Sequence, residues 1–191
     1  MGRLVVSEFV TLDGVMEDPG GAHGTKHGGW SFQFDRGPVG DTFKFDELLA
    51  AESHLLGRVT YQGFAAAWPT MEGTGEFGER MNSMPKYVVS STLTDAEATW
   101  ADTTVIRGDI RAEVMQLKVE SGGDILVQGS GQLARTLIEL GLVDEYHLMV
   151  FPIILGSGKR LFPGVAEAAP VTLTEATTAG GGILLLTYQS A

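Results

Sequence analysis

With 191 residues, 43% of them hydrophobic, the chain has the length and apolar content of one folded domain with a sizeable core. A formal net charge of −11 argues against a nucleic-acid partner held through phosphate contacts, and an anionic ligand would need a local cluster of donors. No apolar run approaches the ~18 residues of a membrane span, and the absence of cysteine excludes disulfides and thiol chemistry and fits a cytoplasmic protein.

Met1 to Val6 enters a strand pattern directly, so no signal peptide is expected. Leu4 to Val10 reads as a buried first strand with Ser7 and Glu8 inside it, closed by the turn Thr11-Leu12-Asp13-Gly14. Residues 16–40 form a long glycine-rich loop carrying Trp30, Phe32 and Phe34. A loop of that length in a compact domain is expected to fold over a ligand. Asp41 to Glu52 has helical spacing with Asp41 as a plausible N-cap. A short strand, His54 to Gly57, leads into a short helix from Arg58 that closes at Trp68-Pro69, and one helical turn is expected near Phe77 to Met81.

Lys86 to Ser91 and Thr103 to Arg107 read as strands, and Ile110 to Val119 as a helix. Asp124 to Gln128 is a strand, Gly129-Ser130-Gly131 a turn, and the helix after it buries Leu133, Leu137, Ile138 and Leu140 and stops at Gly141. The longest apolar run, Tyr146 to Leu155, is expected as a central strand. Val171 to Thr174 and Ile183 to Tyr188 flank Gly180-Gly181-Gly182 as a hairpin. The order predicts one α/β domain over residues 1–191, with a mostly parallel sheet, an antiparallel C-terminal hairpin and helices on both faces.

Gly129-Ser130-Gly131-Gln132-Leu133-Ala134 fits G-x-G-x-x-G/A between a strand and a helix. A dinucleotide fold of the Rossmann type would place it near the N-terminus, with an acidic residue roughly 20 positions on. Here that region, Met149 to Ile154, has no acid. The motif is therefore a phosphate-binding turn of a different fold, or a turn in which glycine serves geometry alone. Two other groups fall at strand ends: Gly57-Arg58-Val59-Thr60, and the hydroxyls of Ser90-Ser91. A guanidinium and hydroxyls meeting in one crevice suit a phosphate monoester.

These stretches, with Thr11 to Gly14, Leu56 to Tyr61, Tyr87 to Ser91, Gln128 to Gly131, and Val143 to Leu148 running into Pro152 to Gly158, resemble the dihydrofolate-reductase-like family. The resemblance is to its RibD C-terminal type, the riboflavin-biosynthesis reductase domain, and covers nearly the whole chain. It implies a dihydrofolate-reductase-like fold and NADPH as cofactor. Gly57, Arg58, Thr60, Ser90 and Ser91 would hold the adenosine 2′-phosphate side. Gly129, Ser130, Gly131, Gln132 and Leu133 would take the pyrophosphate, with Gln132 where related reductases often carry a basic residue.

The implied reaction is hydride transfer to a pyrimidine- or pterin-like heterocycle. A ribosylamino-pyrimidine phosphate of riboflavin synthesis is the first expectation and dihydrofolate the second; a non-catalytic nucleotide- or flavin-binding module is the alternative. A buried carboxyl of raised pKa is the usual proton source. Asp41 is a candidate or else a helix N-cap, and Asp13 a candidate or else a turn residue. The family also suggests a homodimer through the C-terminal strands. No deaminase domain is expected within these 191 residues, since its zinc signature needs cysteine.

Other signals are set aside. His23 and His27 lie among glycines that deny them a helix, so no metal site is expected. Ser130 and Ser157 lack a nucleophile elbow. His147 reads as a satisfied core or sheet residue. Trp30, Phe32 and Phe34 either stack on a ring or pack the loop down. Lys159 and Arg160 either meet a substrate phosphate or are surface charge.

Overall fold

The computed structural model describes residues 1–164 and 168–191. Strands β1 (Leu4–Thr11), β2 (Ala51–Gly57), β3 (Lys86–Val89), β4 (Thr103–Ile106), β5 (Asp124–Gln128), β6 (Glu145–Phe151), β7 (Val171–Thr178) and β8 (Leu184–Ser190) form one sheet in the order β4-β3-β2-β5-β1-β6-β8-β7. The pairings from β4 to β6 are parallel, and β8 and β7 close the sheet antiparallel. Helices are α1 (Gly37–Ala50), α2 (Arg58–Ala67), α3 (Gly75–Ser83), α4 (Ile110–Glu120) and α5 (Gly131–Glu139). This is the dihydrofolate-reductase-like architecture that the sequence predicts.

Alternation along the strands sorts the core into two layers. Leu4, Val6, Leu55, Ile125 and Val127 face α4 and α5 and pack on Val114, Leu117, Leu133 and Leu137. Val5, Leu56, Val88 and Leu126 face the other way onto Leu48 of α1, Tyr61 of α2 and Met81 of α3. A third cluster joins Trp30, Phe151, Ile183 and Leu185, with Phe9, Phe34 and Phe43 packed against it. Trp30 is wholly buried, meets Phe151 edge-on at 5.1 Å, and donates its indole N–H to the Glu17 carbonyl. It pins the 16–40 loop down, as the packing reading has it, whereas Phe32 is exposed.

Boundaries move where caps and prolines decide them. The first helix starts at Gly37, not Asp41, because Pro38 stands in its first turn, where a missing N–H costs nothing. It ends at Ala50, so Glu52 belongs to β2. β6 stops at Phe151, ahead of Pro152, rather than running to Leu155. α3 is nine residues long where one turn was expected; its polar, glycine-led sequence hides its helical face. α5 ends as predicted: Gly141, at φ +63, donates its N–H to the Ile138 carbonyl, and the Leu142 N–H bonds the Leu137 carbonyl. The hairpin turns at Ala179 to Ile183, and its tip docks on residues 35–36 through the Gly180 N–H to the Arg36 carbonyl.

Candidate functional site

β2 and β5 are parallel neighbours, so their C-terminal ends open onto the same edge of the sheet. Gly57 leads directly into α2, and Gly129-Ser130 turns the chain into α5. Gly129 and Ser130 are both left-handed, at φ +60 and +57, a costly conformation for serine that its hydrogen bonds compensate. The Ser130 N–H donates to Thr60 Oγ1 at 2.9 Å, and Ser130 Oγ accepts from the Gly57 N–H at 2.9 Å. A Cβ on Gly129 would fall 3.2 Å from Thr60 Cγ2, and one on Gly131 2.8 Å from Met16 Sδ. The two turns are thus docked face to face, and glycine is what permits the approach.

Docking leaves α5 uncapped. Ser130 makes no side-chain cap to the helix, and the first i→i−4 bond is from the Ala134 N–H to the Ser130 carbonyl. The N–H groups of Gly131, Gln132 and Leu133 have no partner among the described residues, at the positive end of a helix. Leu133 offers only backbone, since its side chain is core, and the Gln132 side chain is exposed. Arg135, which the sequence reading passed over, brings a guanidinium to this turn and donates from Nε to the Gly131 carbonyl at 3.0 Å. Its signal was position: one helical turn past the glycines.

Arg58 is exposed beside the docked turns and bonds Gln62 Oε1 at 3.1 Å. β3 pairs with β2 so that Val89 stands opposite Gly57, which brings Ser90-Ser91 next to Arg58 along the same edge. The two serines differ. Ser90 is buried, and its Oγ accepts from the Thr92 and Leu93 N–H groups, shaping the turn. The Ser91 hydroxyl is exposed.

The two candidate acids take other roles. Asp41 lies inside α1 rather than at its N-cap, is exposed, and pairs with Arg36 Nε at 2.6 Å. Asp13 accepts from Thr11 Oγ1 at 2.6 Å and from the Leu155 and Gly156 N–H groups at 3.2 and 2.9 Å. The Thr11 hydroxyl, with those N–H groups, holds its carboxyl below the usual range against the effect of burial, so it is an anion tying two loops together. Lys159 pairs with Glu17 at 3.3 Å and Arg160 with Asp13 at 3.6 Å. No cluster of three or more metal-binding side chains occurs among the described residues, His23 and His27 included.

The buried ionisable groups lie elsewhere. Glu47 of α1, 5% exposed, accepts from Ser7 Oγ at 2.7 and 2.9 Å, Gln128 Nε2 at 3.0 Å, and Lys44. His147 bridges Glu47 Oε2 at 3.2 Å and Glu145 Oε1 at 2.8 Å, which makes it the satisfied sheet histidine that was expected. Burial opposes the charge on Glu47, but Lys44, His147 and Ser7 prevail and hold its carboxyl at about 2. Burial likewise opposes the imidazolium of His147, and its two carboxylate partners raise it. This network spans β1, β5, β6 and α1 and ends one residue before the glycine turn. On the opposite layer Glu8 is buried without a partner for Oε1. Burial pushes its carboxyl well above the ordinary range.

A curated relative, the uncharacterized protein YyaP of Bacillus subtilis (strain 168), is 30% identical over 190 residues, covering 98% of this chain and 94% of the relative. Among solved structures, a putative riboflavin biosynthesis protein from Shewanella sp. PV-4 superposes with a TM-score of 0.78 at 19% identity over 99% of both chains. Acinetobacter baumannii RibD superposes with a TM-score of 0.67 at 14% identity, over all of this chain and 58% of that one. The RibD C-terminal domain family matches residues 3–185. With the parallel sheet, the docked glycine turn and the Gly-Arg-x-Thr turn all in place, the chain belongs to the RibD C-terminal domain family.

Proposed function

We propose that the chain is an NADPH-dependent reductase acting on a pyrimidine- or pterin-like heterocycle. The observation that carries this reading is the uncapped start of α5, where three N–H groups have no partner among the described residues, on the same sheet edge as the β2 and β3 ends that carry Arg58, Thr60 and Ser91. Helix N-termini of this kind take phosphate, and a guanidinium one strand away suits a second phosphate. The residues therefore fit a dinucleotide with a 2′-phosphate. That cofactor supplies a hydride; the protein supplies position, exclusion of water, and control of protons. The ribosylamino-pyrimidine phosphate of riboflavin synthesis is the first substrate to try, in keeping with the names of the Shewanella and Acinetobacter relatives. Dihydrofolate is the second.

The test is NADPH binding followed by loss of its absorbance with each substrate. Arg58→Ala is expected to weaken NADPH binding roughly 10- to 100-fold, the effect of losing a charge-assisted contact to phosphate. NADH, which lacks the 2′-phosphate, should lose far less. Equal losses for both would show that Arg58 does not read the 2′-phosphate. Binding without oxidation of any substrate would favour the non-catalytic module.

The same reading includes a homodimer in the cytoplasm. β7 is exposed along its length at the open edge of the sheet, with Val171 45% and Leu173 50% exposed. A second copy would cover this edge and its apolar side chains. Light scattering is expected to give the mass of two chains, and Leu173→Asp the mass of one. A wild-type mass of one chain refutes the dimer.

A further inference from the structure

His147 of β6 sits between two buried carboxylates, with Nδ1 3.2 Å from Glu47 Oε2 and Nε2 2.8 Å from Glu145 Oε1. A neutral imidazole carries one N–H, so its second nitrogen would aim a lone pair at a carboxylate oxygen. Both contacts are favourable together when the ring carries both protons. A proton on either acid instead is opposed by that acid's other partners. Glu145 Oε2 accepts from Arg3 Nη1 at 2.9 Å and Gln189 Nε2 at 3.2 Å, and Glu47 Oε1 accepts from Lys44 and from Gln128 Nε2. Cations and donors so placed favour the ionised carboxylate. A continuous line of hydrogen bonds then leads from the ring to the glycine turn. Glu47 Oε1 holds Gln128 Nε2 at 3.0 Å, the Gln128 carbonyl accepts from Ser130 Oγ at 3.3 Å, and Ser130 Oγ accepts from the Gly57 N–H. Ser130 is the left-handed residue whose conformation most needs such support.

We infer that His147 is a positioning residue for the glycine turn: as an imidazolium it clamps Glu47 and, through Glu47 and Gln128, fixes the geometry of Gly129-Ser130. Its bearing on cofactor affinity rests on the proposed NADPH. A neutral ring keeps one of its two bonds and turns a lone pair on the other carboxylate, which frees Glu47 to move away from Gln128. The charged groups around the ring are Glu47 and Lys44 of α1, Glu145 of its own strand, and Arg3 just before β1. β1 and β8 face it with the uncharged Ser7 and Thr187, and Glu175 of β7 stands exposed beyond Thr187. Burial opposes the imidazolium, but Glu47 and Glu145 outweigh it and lift His147 above the ordinary histidine value of 6.5. The clamp is therefore complete below pH 6.5 and is lost as pH rises through the raised folded value.

The experiment is nitrogen NMR of the cofactor-free chain between about pH 6 and about pH 10. It follows the His147 ring nitrogens together with the Gln128 side-chain amide and the Gly129 and Ser130 amides. Both ring nitrogens are expected to be protonated at about pH 7.5, where an ordinary histidine is about nine-tenths neutral. The turn amides should shift with the His147 midpoint. In His147→Gln, neutral at every pH, that step should vanish from the turn. NADPH affinity, read from the cofactor's own fluorescence, should fall roughly 2- to 30-fold across the same midpoint in wild type and stay flat across it in the variant. Other groups that titrate here, such as Lys86, which burial pushes down to about 8, are common to both proteins. If the variant does not fold, the wild-type titration decides alone. A single protonated ring nitrogen at about pH 7.5, or turn amides that ignore the His147 midpoint, overturns the role of His147 and leaves the cofactor reading standing. Turn amides that follow His147 in a chain that binds NADPH at no pH uphold that role and overturn the cofactor reading.

Discussion

Glu47→Leu is expected to destabilise the folded chain by about 3–5 kcal/mol, the usual cost of removing one partner from a buried ion pair. Glu47 is the acceptor for Ser7, Lys44, Gln128 and His147, and its loss leaves the Lys44 ammonium, 7% exposed, without a counter-charge. The cost lies in the orphaned charge rather than in the lost attraction. Glu47→Leu combined with Lys44→Met should therefore recover much of the loss, because an apolar pair of similar volume needs no compensation. Urea unfolding of the four proteins in the cycle measures this directly. A single variant within about 1 kcal/mol of wild type would mean that water reaches Lys44. Because the folded carboxyl titrates at about 2, below its unfolded value of 4.5, this contribution is complete above pH 4.5 and is lost as pH falls toward 2.

Acid should destabilise the protein earlier than that, through His54. This β2 histidine is fully buried, and neither ring nitrogen has a partner among the described residues. Burial first, then the positive charge of Lys86, pushes its pKa from 6.5 down to about 3. The unfolded chain binds this proton below pH 6.5 and the folded chain refuses it, so stability falls as pH drops from 6.5 toward 3. The loss reaches roughly 5 kcal/mol at the lower limit. Glu8 works in the opposite direction below its raised pKa, where the folded chain keeps the proton that the unfolded chain gives up. The His54 contribution is therefore read as the difference between wild type and His54→Leu. The variant's unfolding free energy should fall less steeply between about pH 6.5 and about pH 4.5. Parallel curves would show that His54 takes up its proton in the folded state.

Both predictions concern residues that a linear reading passes over. Lys44 and Glu47, three apart on a helix, look like any solvated pair, and only the packing of α1 on the sheet turns them inward. The expected helix start at Asp41 compounded this, since it made a surface residue the notable acid of that segment. Glu8 and Ser7 stand out in the sequence as polar interruptions of an apolar strand. Which of them meets the network and which faces the core beneath α4 and α5 depends on strand alternation.

Sequence by itself determined the strand–helix order, the glycine turn, the Gly-Arg-x-Thr turn and the family. These rest on local signals: apolar periodicity, glycine where the backbone is left-handed, and residues contiguous in the chain. Tertiary structure alone decided which ionisable groups are buried and with whom. Ser7, Glu47, Gln128 and His147 come from four elements, with up to 140 positions between them, and hydrogen bond only once the sheet has assembled. A carboxyl's pKa is set by burial and by neighbours in space. That is why Asp13 and Asp41 could be named from the chain, while Glu8 and Glu47 had to be found in the fold.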